Sequence, residues 1–231
     1  MQNQLVLDLS LPAQPTLDNF VAGRNTELIQ VLREMLATKP QERFVYLWGS
    51  PGSGRSHLLK AMVDAFRQQH LSASYICCSQ DSKIAPVLEQ LEALAVDDVD
   101  RLGGDSQIAL FNLYNHIREG PGMLLVSGAM PPAQLKLRED LVTRLGWGLV
   151  FQVQGLNDEE KTQALKTHAR NRGFELPQEA ADYLLRHGRR DMPSLLAVLD
   201  ALDNYSLRTK RPVTLPLLRE IMQAQLFPGG E

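Results

Sequence analysis

The sequence predicts an α/β chain: a doubly wound parallel sheet with helices on both faces, followed by a small all-helical lid. Three observations carry this. Strand-like and helix-period apolar segments alternate as far as about residue 154. The glycine-rich stretch Gly49-Ser50-Pro51-Gly52-Ser53-Gly54-Arg55-Ser56 stands between one such strand and one such helix. Beyond Gly155 the apolar period is that of helices only. The division that follows is a flexible lead over 1–19, an α/β domain over 20–154 and a helical domain over 155–231.

Taken in order, the lead is rich in Gln, Leu and Pro and has no helical period. From Thr26 to Ala37 the apolar residues Leu28, Ile29, Leu32, Met35 and Leu36 recur at helical spacing, and Lys39-Pro40 ends the pattern. Phe44 to Trp48 is an aromatic and β-branched run, a buried strand, and Ser56 to Phe66 is the helix behind the glycine-rich turn. A strand over Ser74–Cys77, a helix over about 82–91 and a strand over Leu94–Asp97 come next. A longer helix covers about Gln107–Arg118 and is broken by Gly120-Pro121-Gly122 before the apolar strand Met123–Ser127. A helix near Arg138–Leu145 and a strand near Leu149–Val153 close the sheet. In the helical part, Asn157 caps a helix with Asp158, Glu159 and Glu160 in its first turn, where the dipole favours acids. That helix ends near Arg172; others span about 178–186, from Met192-Pro193 to about Arg208, and from Pro216 to about Leu226.

The 231 residues, 44% hydrophobic, suffice for one large or two small cores. A net charge of −3 provides no global field for nucleic acid or membrane, and no apolar run approaches the ~20 residues of a membrane span. The first basic residue is Arg24, so the lead lacks the charged region of a signal peptide. The two cysteines, Cys77 and Cys78, are adjacent and read as reduced thiols of a cytoplasmic protein. Residues 155–231 carry 11 Lys+Arg against 11 Asp+Glu, an electrostatically poor DNA-binding surface.

The Gly49–Ser56 stretch fits the phosphate-binding loop G-x-x-x-x-G-K-[ST] at every fixed position except the lysine, where Arg55 stands. Strand, glycine-rich turn and helix N-terminus aim a row of backbone N–H groups at one point, an anion site, and Ser56 would reach a magnesium ion. The bland alternative is a glycine-rich turn without ligand. A guanidinium neutralises phosphate but is longer and planar, so binding with weak or absent hydrolysis is the expectation. Leu94-Ala-Val-Asp97-Asp98 has the form of a Walker B strand, with Asp97 holding Mg²⁺ through water and Asp98 orienting a water. Ser127 ends the next strand, either touching phosphate or satisfying backbone. Arg144 lies on the last helix before the final strand; spacing alone leaves it a solvated face residue.

Together, the phosphate loop, the paired acids, a polar strand end, an arginine before Gly146-Trp147-Gly148 and a helical lid resemble an AAA+ module. Thr16-Leu-Asp-Asn-Phe-Val-Ala-Gly23 with Asn25 resembles the leading segment of the bacterial initiator family DnaA, which lines the adenine pocket. Leu47-Trp-Gly49, Gly54-Arg-Ser-His-Leu-Leu59, Phe111-Asn-Leu-Tyr-Asn115, Ser127-Gly128 with Pro131-Pro132, Thr143-Arg-Leu-Gly-Trp147 and Arg172-Gly-Phe-Glu-Leu-Pro177 resemble the Hda family of DnaA-homologous regulators, over about residues 4–226. The resemblance implies that Phe20, Val21, the loop from Gly49 to Ser56, His57, Asp97 and Ser127 meet ADP (or ATP) with Mg²⁺. It implies that Arg144 is an arginine finger acting in trans. It also implies that Gln4, Leu5, Leu7 and Leu9 form a peptide for the DNA polymerase III beta sliding clamp, glutamine in a polar pocket and leucines in an apolar groove.

Two departures bear on activity. Where AAA+ initiators open the third lid helix with a sensor arginine, this chain has Met192-Pro193-Ser194, with Arg189 and Arg190 just upstream. After the lid the sequence has no helix-turn-helix, so no sequence-specific DNA binding of its own is expected. The resulting expectation is a cytoplasmic inhibitor of DNA replication initiation, an ATPase activator with weak or no hydrolysis of its own. Its partners are DnaA and the sliding clamp, with no membrane, and self-association through the AAA+ face. A helicase-loader-like ATPase and a P-loop small-molecule kinase are the alternatives.

Overall fold

A computed structural model describes residues 14–37, 40–85, 88, 90–189 and 191–226. The chain forms two compact units, one from Pro15 to Gly155 and one beginning at Leu156. The first begins earlier than residue 20 because the leading segment is tied down. The Thr16 and Asn19 side chains accept from each other's backbone N–H, and Asn25, 3% exposed, bonds Ala22 and both polar groups of the Gln154 backbone.

In the first unit α1 (Thr26–Glu34) and β1 (Phe44–Trp48) are followed by α2 (Arg55–Gln68), β2 (Ala73–Cys77) and β3 (Ala93–Asp97). Then come α3 (Gly104–Glu119), β4 (Met123–Gly128), α4 (Glu139–Leu145) and β5 (Leu149–Gln152). All strand pairs are parallel, in the order β2-β3-β4-β1-β5. The central position of β1 follows from its composition: Val45, Tyr46 and Leu47 are all buried, as a strand covered on both faces requires.

The period of two sorts the strands between two cores. Val45 and Leu47, Ala93 and Ala95, and Met123 and Leu125 meet α1 and α2 through Leu32, Leu58, Met62 and Phe66. Tyr46, Leu94, Val96, Leu124 and Val126 meet α3 and α4 through Leu110, Leu113, Leu141 and Leu145. Small alanines on the first face of β3 let α2 approach closely. The same alternation puts Asp97 and Ser127, two residues beyond Ala95 and Leu125, on the α2 face at the strands' carboxyl ends.

The predicted helix over 82–91 is not an α-helix among its described residues. Leu88 and Leu91 donate to the carbonyls three residues back, Ala85 and Leu88, and the physical reason is Pro86, which disfavours the helical conformation at the residue before it.

The second unit contains α5 (Asp158–Asn171), α6 (Gln178–His187), α7 (Met192–Thr209) and α8 (Leu215–Leu226). Asn157 forms a full capping box with Glu160, each side chain bonding the other's backbone N–H. Asp191 caps α7 by accepting from the Ser194 N–H. Leu165, Leu184, Leu199, Leu202, Leu218 and Ile221 make the core. Among the described residues no helix is long and apolar enough to cross a membrane.

Candidate functional site

The turn after β1 and the start of α2 form the loop. Gly52 and Gly54 have φ of 80° and 105°, which L side chains avoid, and a Cβ on Gly54 would stand 2.6 Å from the Phe20 ring. Among the described residues no side chain caps the first turn of α2, so its backbone N–H groups remain available as donors. Ser53 Oγ and Arg55 Nη1 are buried and have no hydrogen-bond partner among the described residues. Buried donors are costly unless an acceptor takes them. The donor set therefore fits a phosphate-bearing group.

Arg55 is not free. Its Nη2 donates to Asp98 Oδ1 at 3.1 Å, with side chains only 10% and 16% exposed. Arg101 approaches the other oxygen of Asp98 at 3.4 Å. Asp98 has φ of 54° and ψ of 50°, a left-handed conformation uncommon outside glycine, at the step from β3 into the short turn Val99–Arg101.

Around Asp97 the polar groups interlock. Ser127 Oγ donates to one carboxylate oxygen and accepts from the Asp98 N–H at 3.1 Å. The Tyr75 hydroxyl donates to the other oxygen at 2.6 Å, and Ser56 approaches that hydroxyl. Burial first, and then the bond and charge of Asp97, hold the Tyr75 proton far above the ordinary phenol range. One network thus runs from Ser56 through Tyr75, Asp97, Ser127 and Asp98 to Arg55, with Asp97 keeping further lone pairs.

The Phe20 and His57 rings meet at a tilt with 5.5 Å between centroids, and His57 Nε2 donates to the Thr16 carbonyl at 2.9 Å. Val21 is half-buried in the same leading segment. Burial is the main cause of a His57 pKa below the usual 6.5; Thr16 opposes it and Lys60 adds to it. The unfolded chain therefore takes up this proton first. Stability from His57 is complete above pH 6.5, falls as pH drops through that value, and levels off below the folded pKa. The stability difference between wild type and His57→Asn should accordingly shrink from about pH 7.5 to about pH 5.5, read as melting temperatures of the two proteins.

Arg144 sits elsewhere, in the last turn of α4, which packs with α3 on the sheet face opposite α2. Its guanidinium lies 3.8 Å from the Trp147 ring centroid and 5.5 Å from that of Phe111. Among the described residues no carboxylate pairs with it, and its Nε is buried without a partner. Of the remaining predicted residues, Gln4, Leu5, Leu7, Leu9 and Arg190 lie outside those described. Arg189, with a side chain 85% exposed, stands 3.8 Å from Asp191. Cys77 is exposed and Cys78 buried, both free, and burial with the neighbouring acids pushes the Cys78 thiol up to about 12.

Tyr75, Arg101, Phe111 and Trp147 are the residues of these clusters that sequence reasoning did not assign. Only Trp147 left a usable signal, three residues from Arg144 at the end of a helix, a spacing that brings side chains together.

Comparison with known proteins accounts for both units. Residues 11–152 match the model of the bacterial DnaA ATPase domain and residues 158–222 that of the Hda lid domain. Domain III of the Thermotoga maritima replication initiation protein DnaA superposes with a TM-score of 0.71 at 20% identity, over 93% of this chain and 98% of that one. AMPPCP-bound DnaA from Aquifex aeolicus gives 0.69 at 21%, over 86% and 70%. A Thermotoga maritima RuvB variant gives 0.65 at 17%, over 91% and 72%, which marks the AAA+ fold as the shared element. With its sheet and loop matched by the one family model and its helical unit by the other, the chain belongs to the bacterial DnaA ATPase-domain family, as an Hda-type, DnaA-related replication regulator.

Proposed function

We propose that this chain is a nucleotide-bound adaptor that docks on the sliding clamp and accelerates hydrolysis of ATP held by DnaA. ATP-DnaA would thereby become inactive ADP-DnaA. The observation that carries this reading is the division of its arginines. Arg55, in the chain's own loop, shares its charge with Asp98, whereas among the described residues no acid neutralises Arg144. An arginine without a carboxylate is suited to meet phosphate charge on another subunit.

ADP, or ATP, would be held by the backbone of Gly49–Ser56 and by Arg55, with Phe20 and Val21 toward the base. Ser56 and Asp97 would share Mg²⁺. When bound, the nucleotide supplies a phosphate acceptor for Ser53 Oγ, Arg55 Nη1 and the backbone donors at the start of α2. Asp98, engaged by two guanidinium groups, is a poor water-orienting base, so this chain's own turnover is expected to be slow. Arg55→Ala should weaken ADP binding by about 10–150-fold, the value of a hydrogen bond to a charged group, measured by calorimetry.

The reading as a whole is tested by phosphate release from ATP-DnaA with DNA-loaded clamp, with and without this protein. No acceleration, or acceleration that does not need the clamp, would reject it.

A further inference from the structure

We propose that Trp147 is a positioning residue for Arg144, holding the guanidinium ready for the nucleoside triphosphate of a neighbouring subunit. The inference rests on the trans-acting role given to Arg144 above. Trp147 is 50% exposed, unusual for so large an apolar ring, yet its position is closely fixed. Its backbone N–H donates to the Arg144 carbonyl at 3.1 Å, which closes the end of α4 beneath it. The following residue can only be glycine, because a Cβ on Gly148 would stand 2.2 Å from the Phe44 carbonyl oxygen. Arg118 of α3 lies over the same indole at 4.4 Å, so the ring is also fixed from that helix.

The chemistry of this arrangement matters. A carboxylate would orient Arg144 but would neutralise it, and that ion pair would have to break before phosphate could be met. An indole face attracts the cation through its quadrupole and leaves the charge and most N–H donors uncommitted. A guanidinium free in solvent samples many rotamers, and restricting them beforehand lowers the entropy cost of reaching the transition state. Trp147 thus acts through Arg144 and touches no reacting atom.

The test measures phosphate release from ATP-DnaA with DNA-loaded clamp across a concentration series of each variant. Trp147→Ala should lower the plateau rate by about 5–30-fold, the strength of a cation on an indole face plus lost restriction, with the half-saturating concentration within about 3-fold of wild type. Trp147→Phe, which keeps an aromatic face, should recover most of the plateau. An unchanged plateau for Trp147→Ala, or an unchanged plateau with a raised half-saturating concentration, overturns the positioning role; the latter would make Trp147 a docking contact. Arg144→Ala in the same series separates the two claims. Full stimulation by Arg144→Ala rejects the trans reading itself, whereas an inactive Arg144→Ala beside a fully active Trp147→Ala removes only the role of Trp147. A second measurement needs neither DnaA nor a folded Trp147→Ala. In the Trp48→Phe protein Trp147 is the sole indole, since the sequence has two tryptophans, and adding Arg144→Ala should change its emission. Identical emission with and without Arg144 overturns the contact in solution.

Discussion

Arg144→Ala is expected to remove nearly all acceleration of ATP hydrolysis on DnaA, a loss of about 10³–10⁵-fold if the residue meets charge that develops only in the transition state. The same change should hardly affect the chain itself. Arg144 forms no ion pair among the described residues and contributes chiefly its stacking on Trp147 and Phe111. That stacking stabilises by about 0.5–2 kcal/mol, a shift of a few degrees in melting temperature for a chain of this size. ADP affinity should be that of wild type, because α4 packs on the sheet face opposite α2. Arg144→Lys should rescue little, since an ammonium lacks the planar fork and stacks differently on the indole. Single-turnover phosphate release, calorimetric ADP binding and a melting curve on one preparation of each variant separate these effects. Loss of melting temperature and stimulation together would reduce Arg144 to a structural residue.

The second large effect is expected at the clamp. Gln4→Ala combined with Leu7→Ala should weaken clamp binding by about 30–2,000-fold. Burying a leucine contributes about 1.5–3 kcal/mol and a hydrogen-bonded glutamine about 0.5–1.5 kcal/mol. ADP binding and melting temperature should stay at wild-type values, because the α/β unit begins at Pro15. Equilibrium binding to immobilised clamp measures the first effect. Unchanged affinity in the double variant would mean that docking uses another surface.

Much of this was legible in the sequence because it is local. Alternating periods of two and 3.6 gave the order of strands and helices, and the loop from Gly49 to Ser56 is read from eight consecutive residues. Asn157 announced its helix through Glu160, three positions away. What the sequence withheld depends on partners far along the chain. Arg55 looks like a substitute for lysine until Asp98, 43 positions later, is found beside it. Tyr75 is an ordinary strand residue until the register of β2 against β3 brings it to Asp97. The stretch 82–91 carries a helical apolar period, but Pro86 overrides periodicity at the backbone level. Arg144 stands out by resemblance, while its seat on Trp147, with no acid partner among the described residues, depends on how α4 packs.

The central place of β1 also bears on how the chain is made. Phe44 pairs with Leu124, and Val45 pairs with both Leu125 and Leu149, so β1 has no strand partner until 80 or more residues have followed it. At a synthesis rate of about 5–20 residues per second, that strand waits roughly 4–16 s with its apolar residues unpaired. Pairings this distant close slowly, because loop entropy is lost before any contact rewards it. The helices of the second unit contact one another over shorter separations, α5 with α6 and α7, and α8 with α6 and α7. The nascent α/β unit is thus the phase at greatest risk of aggregation, before the loop from Gly49 to Ser56 has a sheet to stand on.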